Sequence, residues 1–302
     1  MVKVWAGLGI FAGLVLLPLG CSAYYVYFFT EVIIWGLFAL SYNLLIGHTG
    51  MLSFGHATFF GIGAYTYALL IKKAGAPFLV ALAASPLVGL LSGLIIGFFC
   101  VRNKGLYFAF LTLAFGQMVY LILFRWYSFT GGEDGIIGVS APAWLGGITH
   151  PYYFALGVSA LCLLLLLTVT NSAFGAVLHA TRDNPERVRF SGLRVMRYQL
   201  ASFSIAGFFA AIAGALYVVL TKAAFIEYIG METGILALFA CLLGGMHTFY
   251  GPLLGTVFIV ALDKLIGSYT QHWSAIMGVA VIVVAVAFPK GILGYLKSKI
   301  SR

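Results

Sequence analysis

Apolar runs of bilayer-crossing length follow one another almost end to end along these 302 residues. A spanning helix needs about 20 mostly apolar residues. Candidate spans fall near 5–28, 32–47, 52–71, 78–100, 106–126, 151–170, 200–221, 232–246, 251–267 and 273–288. Those at 32–47, 232–246 and 251–267 are short and read as possible re-entrant or broken segments. Charged residues make up 8% of the chain and mean hydropathy is +1.06, whereas a soluble domain is about 25% charged. Lipid must therefore be the main solvent, and lipid admits only helices or closed barrels. The runs are rich in Leu, Ala and Gly and lack two-residue alternation. The expected fold is an all-α, polytopic transmembrane helical bundle of about 8–10 spanning or re-entrant helices, forming one domain over residues 1–302. The apolar run from Lys3 to about Phe29 reads as an uncleaved first helix rather than a removed signal.

The net charge of +9 could suggest a nucleic-acid partner, but lysine and arginine in the loops of a membrane protein mark its cytoplasmic side. Placing residues 182–197 inside and alternating outward puts twelve basic residues inside: Lys3, Arg102, Lys104, Arg182, Arg187, Arg189, Arg194, Arg197, Lys290, Lys297, Lys299 and Arg302. Lys72, Lys73, Lys222 and Arg125 fall outside, and Lys264 lies within a span. Both termini are then cytoplasmic, with Lys72 and Lys73 as the exception. The four cysteines lie in or beside apolar runs and read as small buried hydrophobes. "NLLIGHTGMLSFG" (43–55) and "CLLGGMHTFYGPLLG" (241–255) echo each other weakly.

Seven of the 25 Lys, Arg, Asp and Glu residues (17 + 8) crowd into "HATRDNPERVRFSGLRVMR", residues 179–197. Asn171 or Ser172 is placed to cap a helix there. Asn184 precedes Pro185 and so disfavours helical backbone, ending that helix near Asp183. Pro185 suits the first turn of a second, short helix, which Asn184 caps while Glu186 favours its positive end. Gly192 closes it. Contact with anionic lipid explains the arginines alone. A rigid docking knob for a soluble partner also explains the acids, the Asn-Pro step and the closing glycine, with Arg and Asp at its ends contacting that partner.

The segment resembles the cytoplasmic coupling loop of ABC importer permeases of the branched-chain amino acid permease family. Gly175, Ala180, Arg182, Asp183, Asn184 and Gly192 fall on its pattern. "YNLLIGHTGMLSFGHATFFGIGAY" (42–65), "GLYFAFLTLAFGQM" (105–118), "TGGEDGIIGV" (130–139) and residues 215–256 resemble further family blocks in order. Arg187, Phe190, Arg194, His48 and Met51 depart from it. The resemblance implies a multi-pass permease subunit of the bacterial plasma (inner) membrane, importing branched-chain or other hydrophobic amino acids. Its implied partners are two ABC ATPase subunits, a second, different permease subunit forming a heterodimer, a soluble substrate-binding protein and the lipid bilayer, with no nucleic acid. ATP and Mg would sit on the ATPase subunits. The coupling loop spans about 171–199, with Pro185, Glu186 and Arg187 beside the matched residues.

No catalytic or metal-binding constellation stands out, and no cofactor is expected on this chain. It lacks a Gly-rich phosphate loop ending in Gly-Lys-Ser/Thr and a His-Glu-x-x-His pattern. Residues 41–66 are polar and glycine-rich for a membrane segment, which suits a broken helix beside a water-filled cavity. Asn43, Thr49, Ser53 and His56 are the candidates to line or gate a translocation pathway, with Thr112 and Gln117 secondary; ordinary interhelical packing is the competing reading. Ser53 and His56, one turn apart, are the only Ser–His pair that a hydrolase reading could use. Asp263 and Lys264 read as interfacial. An ion-driven secondary transporter predicts carboxylates near the bilayer midplane, and the acids here fall mostly in loops. The substrate class also leaves urea, amides and aromatic acids open.

Overall fold

A computed structural model describes residues 13–267, 275–276, 278–279, 282 and 291–300. Most of the predicted span at 273–288, Lys3, Lys290 and Arg302 lie outside these residues. The described chain is helical with one two-stranded patch. Among the described residues, five helices are long and apolar enough to cross a membrane: α1 (Ala23–Ile46), α3 (Phe78–Cys100), α4 (Leu106–Arg125), α6 (Thr149–Asn171) and α9 (Val195–Thr221). Three shorter ones join them: α2 (Ala57–Lys72), α10 (Met231–Gly244) and α11 (Gly251–Gly267). The small helices are α5 (Tyr127–Thr130), α7 (Ala173–Asp183), α8 (Pro185–Phe190) and α12 (Gly291–Ile300).

α1 and α9 form the centre: 78% and 72% of their most apolar windows are buried, against 33%, 22% and 28% in α3, α4 and α6. α9 packs on α1, α2 and α3, and α11 packs on α10 and α1. Glycines set the closest approaches. A Cβ on Gly214 of α9 would overlap the Phe60 carbonyl of α2, and one on Gly63 of α2 would overlap Ala211 of α9. Small residues at such crossings let backbones meet where apolar burial cannot drive association.

The predicted division of the first two spans is corrected. The chain breaks at Cys21–Ser22 and then runs as one helix through Thr30–Glu31, where the sequence had suggested a loop. Glu31 is tolerated inside that helix because its partners come from distant segments. Lys264 Nζ lies 3.0 Å from Glu31 Oε2, and Tyr217 Oη donates to Glu31 Oε1 at 3.3 Å. The Lys264 ammonium also sits 6.0 Å from the Tyr27 ring centre. Lys264 therefore ties α11 to α1, and the carboxylate is buried with its counter-charge. Removing one member of such a pair leaves the other charge uncompensated, which costs about 3–5 kcal/mol when the pair is fully buried and less here because Lys264 is partly exposed. Glu31→Ala is expected to lower thermal stability in detergent clearly, whereas Glu31→Leu/Lys264→Met recovers most of the loss. Equal melting of wild type and Glu31→Ala would show that the pair contributes nothing.

A second correction concerns residues 52–56, predicted as helix. They form a non-helical turn, and α2 begins at Ala57. Lys72 and Lys73, the expected exceptions to the charge rule, have local acceptors. Lys72 Nζ donates to the Ile137 carbonyl, and Lys73 Nζ donates to the Ser128 carbonyl at 2.6 Å while lying 5.1 Å from the Phe129 ring centre. They fasten the loop between α4 and α6, which also pairs β1 (Ile136–Ile137) antiparallel with β2 (Ala223–Ala224). At the opposite end, Gly291 at the head of α12 packs directly on the backbone of Gly244–Gly245. That contact returns the C-terminal helix to the face carrying α7 and α8.

Candidate coupling site

The charged segment folds by its local rules. Ser172 Oγ accepts from the Gly175 N–H at 3.4 Å and caps α7, and Gly175 lies against the Thr170 carbonyl, where a Cβ would not fit. Asn184 has extended backbone (φ −157°, ψ 98°) and separates α7 from α8. Its Oδ1 accepts from the N–H groups of Glu186 and Arg187 at 3.0 and 3.1 Å, with Pro185 in the first turn and Glu186 beside the positive end. Gly192, at φ +82°, turns the chain out toward α9. Val188 of α8 is buried, while Ala180, Asp183, Glu186, Arg187, Arg189 and Gly192 are exposed. Phe190 is 91% exposed, a large apolar side chain offered at the end of the knob.

Arg182 does something the sequence did not disclose. Its guanidinium turns into the bundle rather than outward. Nη1 donates to the Gly47 carbonyl at 2.6 Å and lies 3.3 Å from His247 Nδ1. Nε and Nη2 donate to Asp183 Oδ1 at 3.2 and 3.1 Å. Gly50, at φ +71°, makes room for the stem: a Cβ there would stand 2.9 Å from Arg182 Cγ. Arg182 thus joins α7 to the turn after α1 and to the turn between α10 and α11. Those two turns carry the echoing segments, and they touch: Asn43 Nδ2 donates to the Thr248 carbonyl at 3.4 Å. His48 and His179 stand 4.7 Å apart across the junction. Burial, with His179 and Arg182 nearby, lowers the His48 pKa to about 4, so its ring is neutral at pH 7.

The pathway candidates divide. Asn43, Thr49, Ser53, His56 and Thr112 are buried, whereas Gln117 is exposed on the outer face of α4. Thr112 does approach the 53–58 segment, since its carbonyl rests on Gly55. Its hydroxyl donates to Ala109 O at 2.7 Å, and that of Thr49 donates to Leu45 O. Asn43 Oδ1, Ser53 Oγ, His56 Nδ1 and Thr58 Oγ1 are buried without a hydrogen-bond partner among the described residues. His56 pairs with Ser41, not Ser53: Nε2 lies 2.9 Å from Ser41 Oγ, whose own hydrogen is committed to the Phe38 carbonyl at 2.6 Å. Nε2 must therefore be the donor, and it cannot act as a base toward Ser41. The ring is also sealed against Phe38, with centroids 5.3 Å apart. The Ser–His reading of a hydrolase thus loses its geometry.

Residues 24–286 match the family described as "Branched-chain amino acid transport system / permease component". The chain belongs to this family. It is a permease component of a transport system and a multi-pass protein of the bacterial inner membrane. Among its relatives, the high-affinity branched-chain amino acid transport system permease proteins LivM of Salmonella typhimurium and Escherichia coli are each 26% identical over 291 residues, covering 87% of this chain and 68% of theirs. The autoinducer 2 import system permease protein LsrC of Yersinia pseudotuberculosis is 31% identical over 208 residues, covering 61% of this chain and 55% of its own. No solved structure matches the chain.

Proposed function

We propose that this permease is the transmembrane subunit of an ATP-driven ABC importer for branched-chain or other hydrophobic amino acids. A soluble binding protein delivers substrate on the outer face, and two ATPase subunits with their ATP and Mg grip the exposed α8 knob of the 171–199 loop, with a second permease subunit completing the pore. The observation that carries this reading is the division of labour in the capped α7–α8 pair. Asp183, Arg187 and Phe190 are offered to a partner, while Arg182 is fastened to the turns at Gly47 and His247. Movement of the knob is thereby transmitted to the inner ends of α1, α10 and α11.

The buried polar atoms without partners in residues 43–58 support a pathway role for Asn43, Ser53 and His56, with Thr49 and Thr112 packed beside them. Leaving a buried polar group unsatisfied costs about 1–3 kcal/mol, a cost relieved if the segment meets water or substrate in another state of the cycle. Gln117 would face the pore only across a second permease subunit. Glu31 is a membrane-embedded acid, but Lys264 neutralises it, so it offers no free carboxylate for ion coupling.

Arg187→Ala or Asp183→Ala is expected to weaken ATPase-subunit binding about ten-fold, the loss of one charge-assisted contact, with membrane insertion unchanged. Co-purification checks it, and undiminished complex formation removes the assignment. Robust uptake by this chain alone, without ATP or partners, would overturn the importer reading. Binding assays on the cognate soluble receptor separate amino acids from urea, amides and aromatic acids.

A further inference from the structure

Between the first turn of α7 and the start of α9 lies an open cleft of about 490 Å³, lined by Phe174, Leu193, Arg194, Arg197, Tyr198 and Ala201. Arg197 and Tyr198 stand one turn before Ala201 on the same face of α9, at i, i+4 and i, i+3 spacing, and Arg194 is the residue that leads into the helix. The stripe is graded. Its two arginines stand at the end of α9 nearest the coupling knob, are exposed, and form no ion pair with a carboxylate among the described residues. Tyr198 and Ala201 continue the stripe along α9 in the direction of the membrane. Tyr198 is stacked on Phe174 across the cleft, with ring centres 5.8 Å apart and planes at 28°. Seven residues of helix cover about 10 Å, so the stripe passes from a cationic rim to an apolar floor over the depth of a headgroup region.

We propose that this cleft seats one anionic phospholipid of the inner leaflet, its phosphate held between Arg194 and Arg197 and an acyl chain lying along Phe174, Tyr198 and Ala201. The charge gradient favours this occupant over two others. A free inorganic anion would satisfy the arginines but leave the aromatic floor against water. A soluble protein would reach the rim, but not the part of α9 that enters the bilayer. Arginine also suits a phosphate better than lysine does, because its planar fork donates two parallel hydrogen bonds. A lipid here would brace the base of α7 against α9, the two helices through which the knob is attached to the bundle.

The test uses the purified full chain in detergent, with native mass spectrometry reading retained lipid during titration with phosphatidylglycerol, phosphatidylcholine or inorganic phosphate. Phosphatidylglycerol is expected to be retained at least about ten-fold better than phosphatidylcholine. Arg194→Gln/Arg197→Gln is expected to reduce phosphatidylglycerol retention about thirty-fold, the effect of two basic contacts at an anionic surface, and to leave phosphatidylcholine unaffected. Ala201→Trp keeps both charges but fills the floor, and it too is expected to evict the lipid; it serves as the test if the double variant does not accumulate. Equal retention of the two lipids would overturn the proposal. So would displacement of phosphatidylglycerol by millimolar phosphate, which would mark a free-anion site. Loss of ATPase-subunit binding in the double variant with lipid retention unchanged would assign the cleft to a protein and equally overturn it.

Discussion

Arg182→Ala is expected to separate ATPase binding from transport. Its side chain is turned inward onto Gly47 and His247, so the exposed knob around Arg187 and Phe190 remains available and ATPase subunits still bind. What disappears is the connection between that knob and the ends of α1, α10 and α11 that meet beside it. Charge-assisted hydrogen bonds contribute about 1.5–3 kcal/mol each, and 1.4 kcal/mol is a factor of ten. Losing the Gly47 bond and the weaker His247 contact is expected to reduce substrate uptake in proteoliposomes of the assembled transporter about 10- to 100-fold. Arg182→Lys keeps the charge but cannot reach both acceptors and Asp183 with one planar fork, so it is expected to fall between. The contrast with Arg187→Ala is diagnostic: that variant is expected to lose the partner, and Arg182→Ala to keep the partner and lose the work. Normal uptake by Arg182→Ala would remove the bracing role, and lost ATPase binding would place Arg182 at the partner surface instead.

The second large effect is on the bundle itself. Gly214→Val is expected to prevent α2 and α9 from closing. A Cβ at this position overlaps the Phe60 carbonyl, and backbone cannot swing aside as a flexible side chain can. Overpacking commonly costs about 1–3 kcal/mol even where side chains give way; here the central helix must shift, and the loss is expected to reach at least the top of that range. Gly157 lies on the exposed face of α6, where a Cβ would meet nothing within 4 Å. Gly157→Ala is therefore expected to be neutral or to stabilise by up to about 1 kcal/mol through helix propensity. Thermal unfolding of the two variants side by side in detergent checks the pair. A Gly214→Val protein that melts like wild type would show that the α2–α9 crossing relaxes.

The sequence was most legible where the governing physics is local. Hydropathy set the class because it acts segment by segment. Ser172, Asn184, Pro185 and Gly192 located the ends of α7 and α8 because caps, proline and left-handed glycine act within one turn. Thr30–Glu31 misled for the complementary reason. An acid inside an apolar run looks like a loop until its counter-charge is known, and Lys264 lies more than 200 residues away in sequence. The polar residues of 41–58 were visible as unusual, but not which of them are satisfied: Ser41, rather than Ser53, takes His56.

What the sequence determined by itself was a helical membrane permease carrying a capped, charged knob on one face, because composition and nearest-neighbour backbone rules suffice for that. Only the tertiary structure decided that Arg182 points inward, that two distant turns meet beneath it, and that Glu31 is neutralised within the bundle. Each depends on bringing together groups far apart along the chain, and helix packing fixes those distances.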